Sequence, residues 1–141
     1  MSYDLMVFRK NAAPKKRNDF LKWYKKQTEW SEGHSYDNAE NTSPELRNWY
    51  LEMKHTFPPM NGPDAPTAEE WDKLEEQGLD SYTTDYAIGR DVIYAAFAWS
   101  VAEKAYKTMY ELAEKYEIGF FDVSSESGNI FFHENGKFKK I

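Results

Sequence analysis

Two carboxylates stand where acid–base chemistry could be done. Asp85 lies between Thr84 and Tyr86, and Asp122 between Phe121 and Val123, each in a β-compatible segment beside aromatic rings. Burial beside aromatic rings raises a carboxyl pKa and suits it to general-acid work. The residue types would fit a paired acid and base, but nothing in their spacing brings the two together. Solvation at a sheet edge or a helix-cap contact accounts for either one. Glu32, His34 and Asp37 combine carboxylate and imidazole, donors suited to a divalent ion, within one polar loop. They match no established ligand spacing and closed sites need a fuller set, so no metal is expected. His55, at the end of an apolar helical stretch, has no identifiable partner that would make it a base and reads as a capping or surface residue. The chain has no glycine-rich phosphate loop, GxSxG elbow, HExxH motif or EF-hand loop. It also has no cysteine, which removes thiol catalysis, thiolate metal sites and disulfides. No catalytic residue and no cofactor is assigned.

Features suited to binding are clearer. Phe57-Pro58-Pro59-Met60-Asn61-Gly62-Pro63 is a stiff loop offering an aromatic ring, a thioether and an amide, and a preorganised loop loses little entropy on engaging a partner. Phe57, Met60 and Asn61 are its candidate anchors. Just beyond, Glu69, Glu70, Asp72, Glu75 and Glu76, offset only by Lys73, form a negative patch able to steer a basic partner. A second candidate is a pocket on a sheet face, where small Ala96 and Ala98 sit near large Tyr82, Tyr86 and Tyr94. There Asp85 would be the first residue to consider for acid–base work.

A chain of 141 residues fits one domain, 1–141. Hydrophobic residues at 40% and aromatics at 17% exclude disorder. No apolar run approaches the roughly 20 residues of a membrane span, so no membrane partner is expected. The opening Met-Ser-Tyr-Asp lacks the features of a secretory signal, and a cytoplasmic location is the expectation. The net charge of −6 divides unevenly, +6 over residues 1–26 and −12 over residues 27–141. An acidic bulk argues against nucleic acid, whose binding needs clustered Lys and Arg. The early basic run lies along an amphipathic helix and reads as its solvated face.

The elements that must position these residues follow from periodicity. Tyr3–Arg9 reads as a strand, and Pro14 to about Trp30 as a helix with Phe20, Trp23, Tyr24 and Gln27 on one stripe. Ser43 and Pro44 open a second helix carrying Leu46, Trp49, Tyr50 and Met53. Thr67–Glu70 is a capping box for a short acidic helix, to which Trp71 and Leu74 give an apolar contact. Tyr82–Ile88 and Val92–Ala98 form a hairpin. Ser100 caps a long helix that Gly119 terminates, Phe120–Val123 is a strand, and Asn135-Gly136 marks a final type I′ hairpin. The order βαββαβ predicts an α+β, ferredoxin-like antiparallel sheet with both principal helices on one face, a helical insertion at about 43–77 and a C-terminal hairpin. Val92–Ala98 is apolar on both faces, so the sheet needs a second cover, either the insertion or another subunit.

The strings YDLMVF, FPPMNGP, DVIYAAFAWSVAEKAY and GFFDVS, covering most of the chain, resemble a family of small bacterial proteins. Some of these are encoded beside polymorphic or contact-delivered toxins. The resemblance implies an immunity-type role and carries over no functional residue. The expectation is a cytoplasmic protein-binding module that occludes a basic toxin domain or associates with itself, and the alternative is a small-molecule or enzymatic ferredoxin-like domain.

Overall fold

Alternating apolar residues in a strand point to opposite faces, so a strand apolar at every position must be covered twice. The strand Tyr3–Phe8 meets this condition over its last four residues: Leu5, Met6, Val7 and Phe8 are all fully buried in the computed structural model, which describes residues 1–141. The elements run β1 (Tyr3–Phe8), α1 (Arg17–Gln27), α2 (Pro44–Thr56), α3 (Ala68–Glu76), β2 (Asp85–Ile88) and β3 (Val92–Phe97). They continue through α4 (Ala102–Lys115), β4 (Gly119–Phe121), β5 (Ile130–Glu134) and β6 (Lys137–Lys140). The six strands form one antiparallel sheet in the order β2-β3-β1-β4-β5-β6. The fold is therefore α+β, and the C-terminal hairpin extends the sheet from β4 instead of lying apart.

Leu5 and Val7 enter one core with Ile93, Ala95 and Phe97, roofed by Trp49, Tyr50 and Met53 of α2 and by Ala105, Met109 and Ala113 of α4. Met6 and Phe8 enter the other, roofed by α1 through Phe20. There Phe8 stands 4.8 Å from Phe20 and 5.1 Å from Phe132, and Phe20 meets Phe121 edge-on at 5.3 Å. Burying a ring of this size contributes about 1.5–3 kcal/mol. This corrects the expected placement, in which the first and last long helices share a face. The first helix is the second cover, and the inserted α2 lies beside α4. The insertion is not one unit, since α3 contributes no buried residue and touches mainly the short 3-10 turn Asp80–Tyr82.

Several element ends also differ from the sequence expectation. The first helix spans Arg17–Gln27, and Trp30 lies beyond it in the left-handed region with φ 53°. Pro44 occupies the first turn of α2 as expected, but Ser43 makes no side-chain cap. A 3-10 turn, Trp99–Val101, precedes α4, so Ser100 is not its cap. The reversal after α4 occurs at Glu117, φ 56°, where the Ile118 N–H reaches back to the Ala113 carbonyl. Gly119 serves another purpose: it pairs with Phe8 in the sheet, and a Cβ there would come within 2.2 Å of the Phe8 ring. Asn135 and Gly136 both have positive φ, as a type I′ turn requires.

Phe8 is wedged by Phe20, Trp23 and Phe132 and has nowhere to move. Gly119→Ala is thus expected to destabilise the protein by about 1–3 kcal/mol by overpacking, read as a lowered urea midpoint. An unchanged midpoint would contradict this packing.

Candidate functional site

Register places two carboxylates in one row. Asp4 of β1 and Asp85 of β2 both pair with Ala96 of β3, so all three side chains stand on the α1 face of the sheet with the alanine between the acids. In the next row Tyr94 faces Ala87. Because α1 ends at Gln27, it does not cover this corner of the sheet. The chain then turns through left-handed Trp30, whose ring meets Tyr94 edge-on at 6.3 Å and Tyr36 at 5.2 Å. The result is a cleft of about 380 Å³ floored by Ala87 and Ala96, walled by Tyr24, Trp30 and Tyr94, and bordered by Asp4 and Asp85. Tyr94 donates its hydroxyl to Asp4 Oδ2 at 2.5 Å, and Ser2 donates to Oδ1 at 2.5 Å. Burial pushes the Tyr94 phenol well up, and its hydrogen bond to Asp4 adds to the effect. Burial also raises Tyr24.

Asp85 and Ala96 are shared with a second groove of about 500 Å³, lined further by Met60, Ser81, Phe97 and Ala98. Here the stiff loop is held by the sheet. The Met60 N–H donates to the Thr84 carbonyl at 2.9 Å, and the Thr84 N–H to the Pro58 carbonyl at 2.8 Å. Met60 is left 52% exposed above the groove. Met60, drawn from the loop, and Asp85 with Tyr94, drawn from the sheet, therefore converge on one continuous surface.

The other candidate residues fall elsewhere. Phe57 is a correction: it is fully buried, stacked on Tyr82 at 5.2 Å and edge-on to Phe97 at 5.1 Å, because the prolines steer the loop around a ring that the core requires. It offers no surface to a partner. Asn61 is exposed beside Met60. Glu69, Glu70, Asp72, Glu75 and Glu76 are exposed on α3, where Glu70 closes the capping box with Thr67. Between α3 and the end of α2 lies a third cleft of about 460 Å³ whose charges mix Lys54 and Lys73 with Asp64 and Glu70. Tyr82 and Tyr86 belong to the α2 face, opposite Tyr94 and Asp85, so the four do not form one pocket. Tyr86 is buried, and its hydroxyl donates to the Phe57 carbonyl at 2.7 Å. His34 pairs with Glu32 at 2.7 Å while Asp37 accepts from Ser35, so these three do not converge.

Asp122 lies just past β4, buried on the α4 face with Oδ1 lacking any hydrogen bond. Burial raises its carboxyl, partly offset by hydrogen bonding to Ser125. The Tyr3 phenol is pushed up to about 12, first by burial and then by the charge of Asp122. Asp4, Tyr24 and Trp30 were not legible as site residues. The one available signal was the placement of Asp4 within an otherwise apolar strand.

No family model matches the chain, and neither a curated protein nor a solved structure is similar to it.

Two stability tests follow from these contacts. Tyr86→Phe strands the buried Phe57 carbonyl and is expected to cost about 1–3 kcal/mol in chemical denaturation. A raised folded-state carboxyl means that folding takes up a proton. The contribution of Asp122 is fully present below its unfolded pKa near 3.8 and is lost as pH rises through the raised value. Asp122→Asn should therefore gain stability relative to the parent as pH climbs from acid to neutral. A flat difference curve in pH-dependent melts would contradict the burial assignment.

Proposed function

We propose that this chain is a protein-binding module of the immunity type, acting in the cytoplasm by occluding a basic toxin domain. One observation carries the reading. The exposed thioether of Met60, pinned to the edge of the sheet, overlooks an apolar groove that contains Asp85. Acidic α3 flanks that groove, touching the 3-10 turn whose Ser81 lines it. An apolar centre within a charged rim is the anatomy of an interface, and the −12 charge of residues 27–141 selects a basic partner. Anchoring falls to Met60, with Asn61 beside it, and steering to the acids of α3. The same reading takes β1, α2, β2, β3, α4 and β4 as a ferredoxin-like unit with α2 as its first helix, to which α1 and the β5–β6 hairpin are added. The pairing of β1 with both β3 and β4 and the shared face of α2 and α4 support it.

The test is position-specific photo-crosslinking in the native cell. A photoreactive residue at Met60 or Ser81 is expected to capture one basic protein that the same residue at Asn135, on the far hairpin, does not. Equal capture from all three positions, or none from the groove, would overturn the reading. With the captured partner in hand, Glu69→Lys, Asp72→Lys and Glu76→Lys together, which spare the Glu70 cap, should slow association about tenfold at low salt and much less at high salt. An unchanged on-rate would remove α3 from the interface.

A further inference from the structure

Asp4 and Asp85 border the aromatic cleft without a counter-ion. None of the chain's ion pairs includes either of them. Asp4 is partly buried and takes only hydroxyl donors on its carboxylate, from Ser2 and Tyr94, while Asp85 is exposed and has no side-chain partner. Two carboxylates on neighbouring rims of one cleft give it a negative field that draws a cation, and here the chain supplies none. Between them the floor is Ala96, too small to fill the gap, and the walls are three rings, Tyr24, Trp30 and Tyr94. Aromatic faces attract cations electrostatically, and they attract a planar delocalised cation by stacking as well.

We propose that this cleft is a receptor for a guanidinium group, held over Ala96 between the two carboxylates and against the rings. Strands two apart in a sheet are separated by roughly 10 Å. A flat donor making hydrogen bonds of about 2.9 Å on each side spans such a gap, and the donor fork of a guanidinium suits carboxylates on both flanks. A compact ammonium reaches one side only. The inference goes beyond the protein-binding reading and does not depend on it, since the group could be an arginine side chain of a partner or a free small guanidine.

The experiment titrates the intact protein with N-acetylarginine methylamide, which mimics arginine within a chain, and with agmatine, a free guanidine. The neutral citrulline and cationic lysine analogues serve as comparisons, and amide chemical shifts are followed. Expected is saturable binding of about millimolar affinity with the shifts centred on Ala87, Tyr94 and Ala96. The guanidines should bind about fivefold or more tightly than either comparison compound. Asp85→Asn, at an exposed position that tolerates it, should weaken binding about fivefold, and Ala96→Leu should abolish it by filling the floor. Agmatine equal to the arginine mimic assigns the site to free guanidines, while preference for the mimic assigns it to a partner's arginine. Citrulline binding as well as arginine, shifts centred elsewhere, or no saturable shift at tens of millimolar would each overturn the proposal. Failure here would leave the crosslinking result at Met60 standing, so the two readings fall separately.

Discussion

The double burial of β1 is the constraint from which the rest follows. A central strand with Leu5 and Val7 on one side and Met6 and Phe8 on the other commits the chain to two cores. Each needs a helical roof, because a lone helix cannot wrap both sides of a sheet. The α4 side is closed by two helices and carries the larger core, including fully buried Trp49 and Tyr50. The α1 side has one helix of 11 residues, roughly 16 Å at 1.5 Å per residue. That is too short to span six strands at about 4.8 Å each. The unroofed corner over β2 and β3 is what remains, and it is where Asp4, Asp85 and Tyr94 meet the aromatic turn.

Tolerance for polar groups follows the same division. On the fully roofed side, Tyr86 satisfies its hydroxyl through the Phe57 carbonyl, as a buried donor must. On the partly roofed side, carboxylates survive without cations because solvent reaches them. Trp49 Nε1 and Asp122 Oδ1 depart from this, both buried without a hydrogen-bond partner, and burial makes the Asp122 carboxyl hold its proton more tightly.

Much of the fold was legible because its elements carry strong local signals. The apolar run of YDLMVF, the capping box at Thr67–Glu70 and the Asn135-Gly136 turn all appear where local chemistry puts them. The side of the sheet that each helix takes was not legible. The stripe of Phe20, Trp23 and Tyr24 says which face of a helix is buried, but not which face of the sheet buries it. The burial of Phe57 escapes the sequence for a related reason, since an aromatic beside prolines can seal a core as well as crown a loop. Asp85 and Tyr94 could be seen as sheet residues, whereas Tyr24 and Trp30 join them only because α1 stops early and the chain reverses through a left-handed tryptophan. That reversal is a matter of tertiary packing, and no periodicity announces it.

The loop that presents Met60 is stitched to β2 through Thr84, and the other end of β2 is tied by the Ile88 N–H to the Tyr36 carbonyl. An edge strand closed in this way offers little free backbone to another sheet. Its two fastenings also bind the surface to the interior on the timescale of local unfolding. The amides of Met60, Thr84 and Ile88 are all hydrogen-bonded along this edge, so lifting the edge exposes the three together. The chain thus holds the exposed thioether of Met60 with the slowness of a strand instead of the speed of a loop.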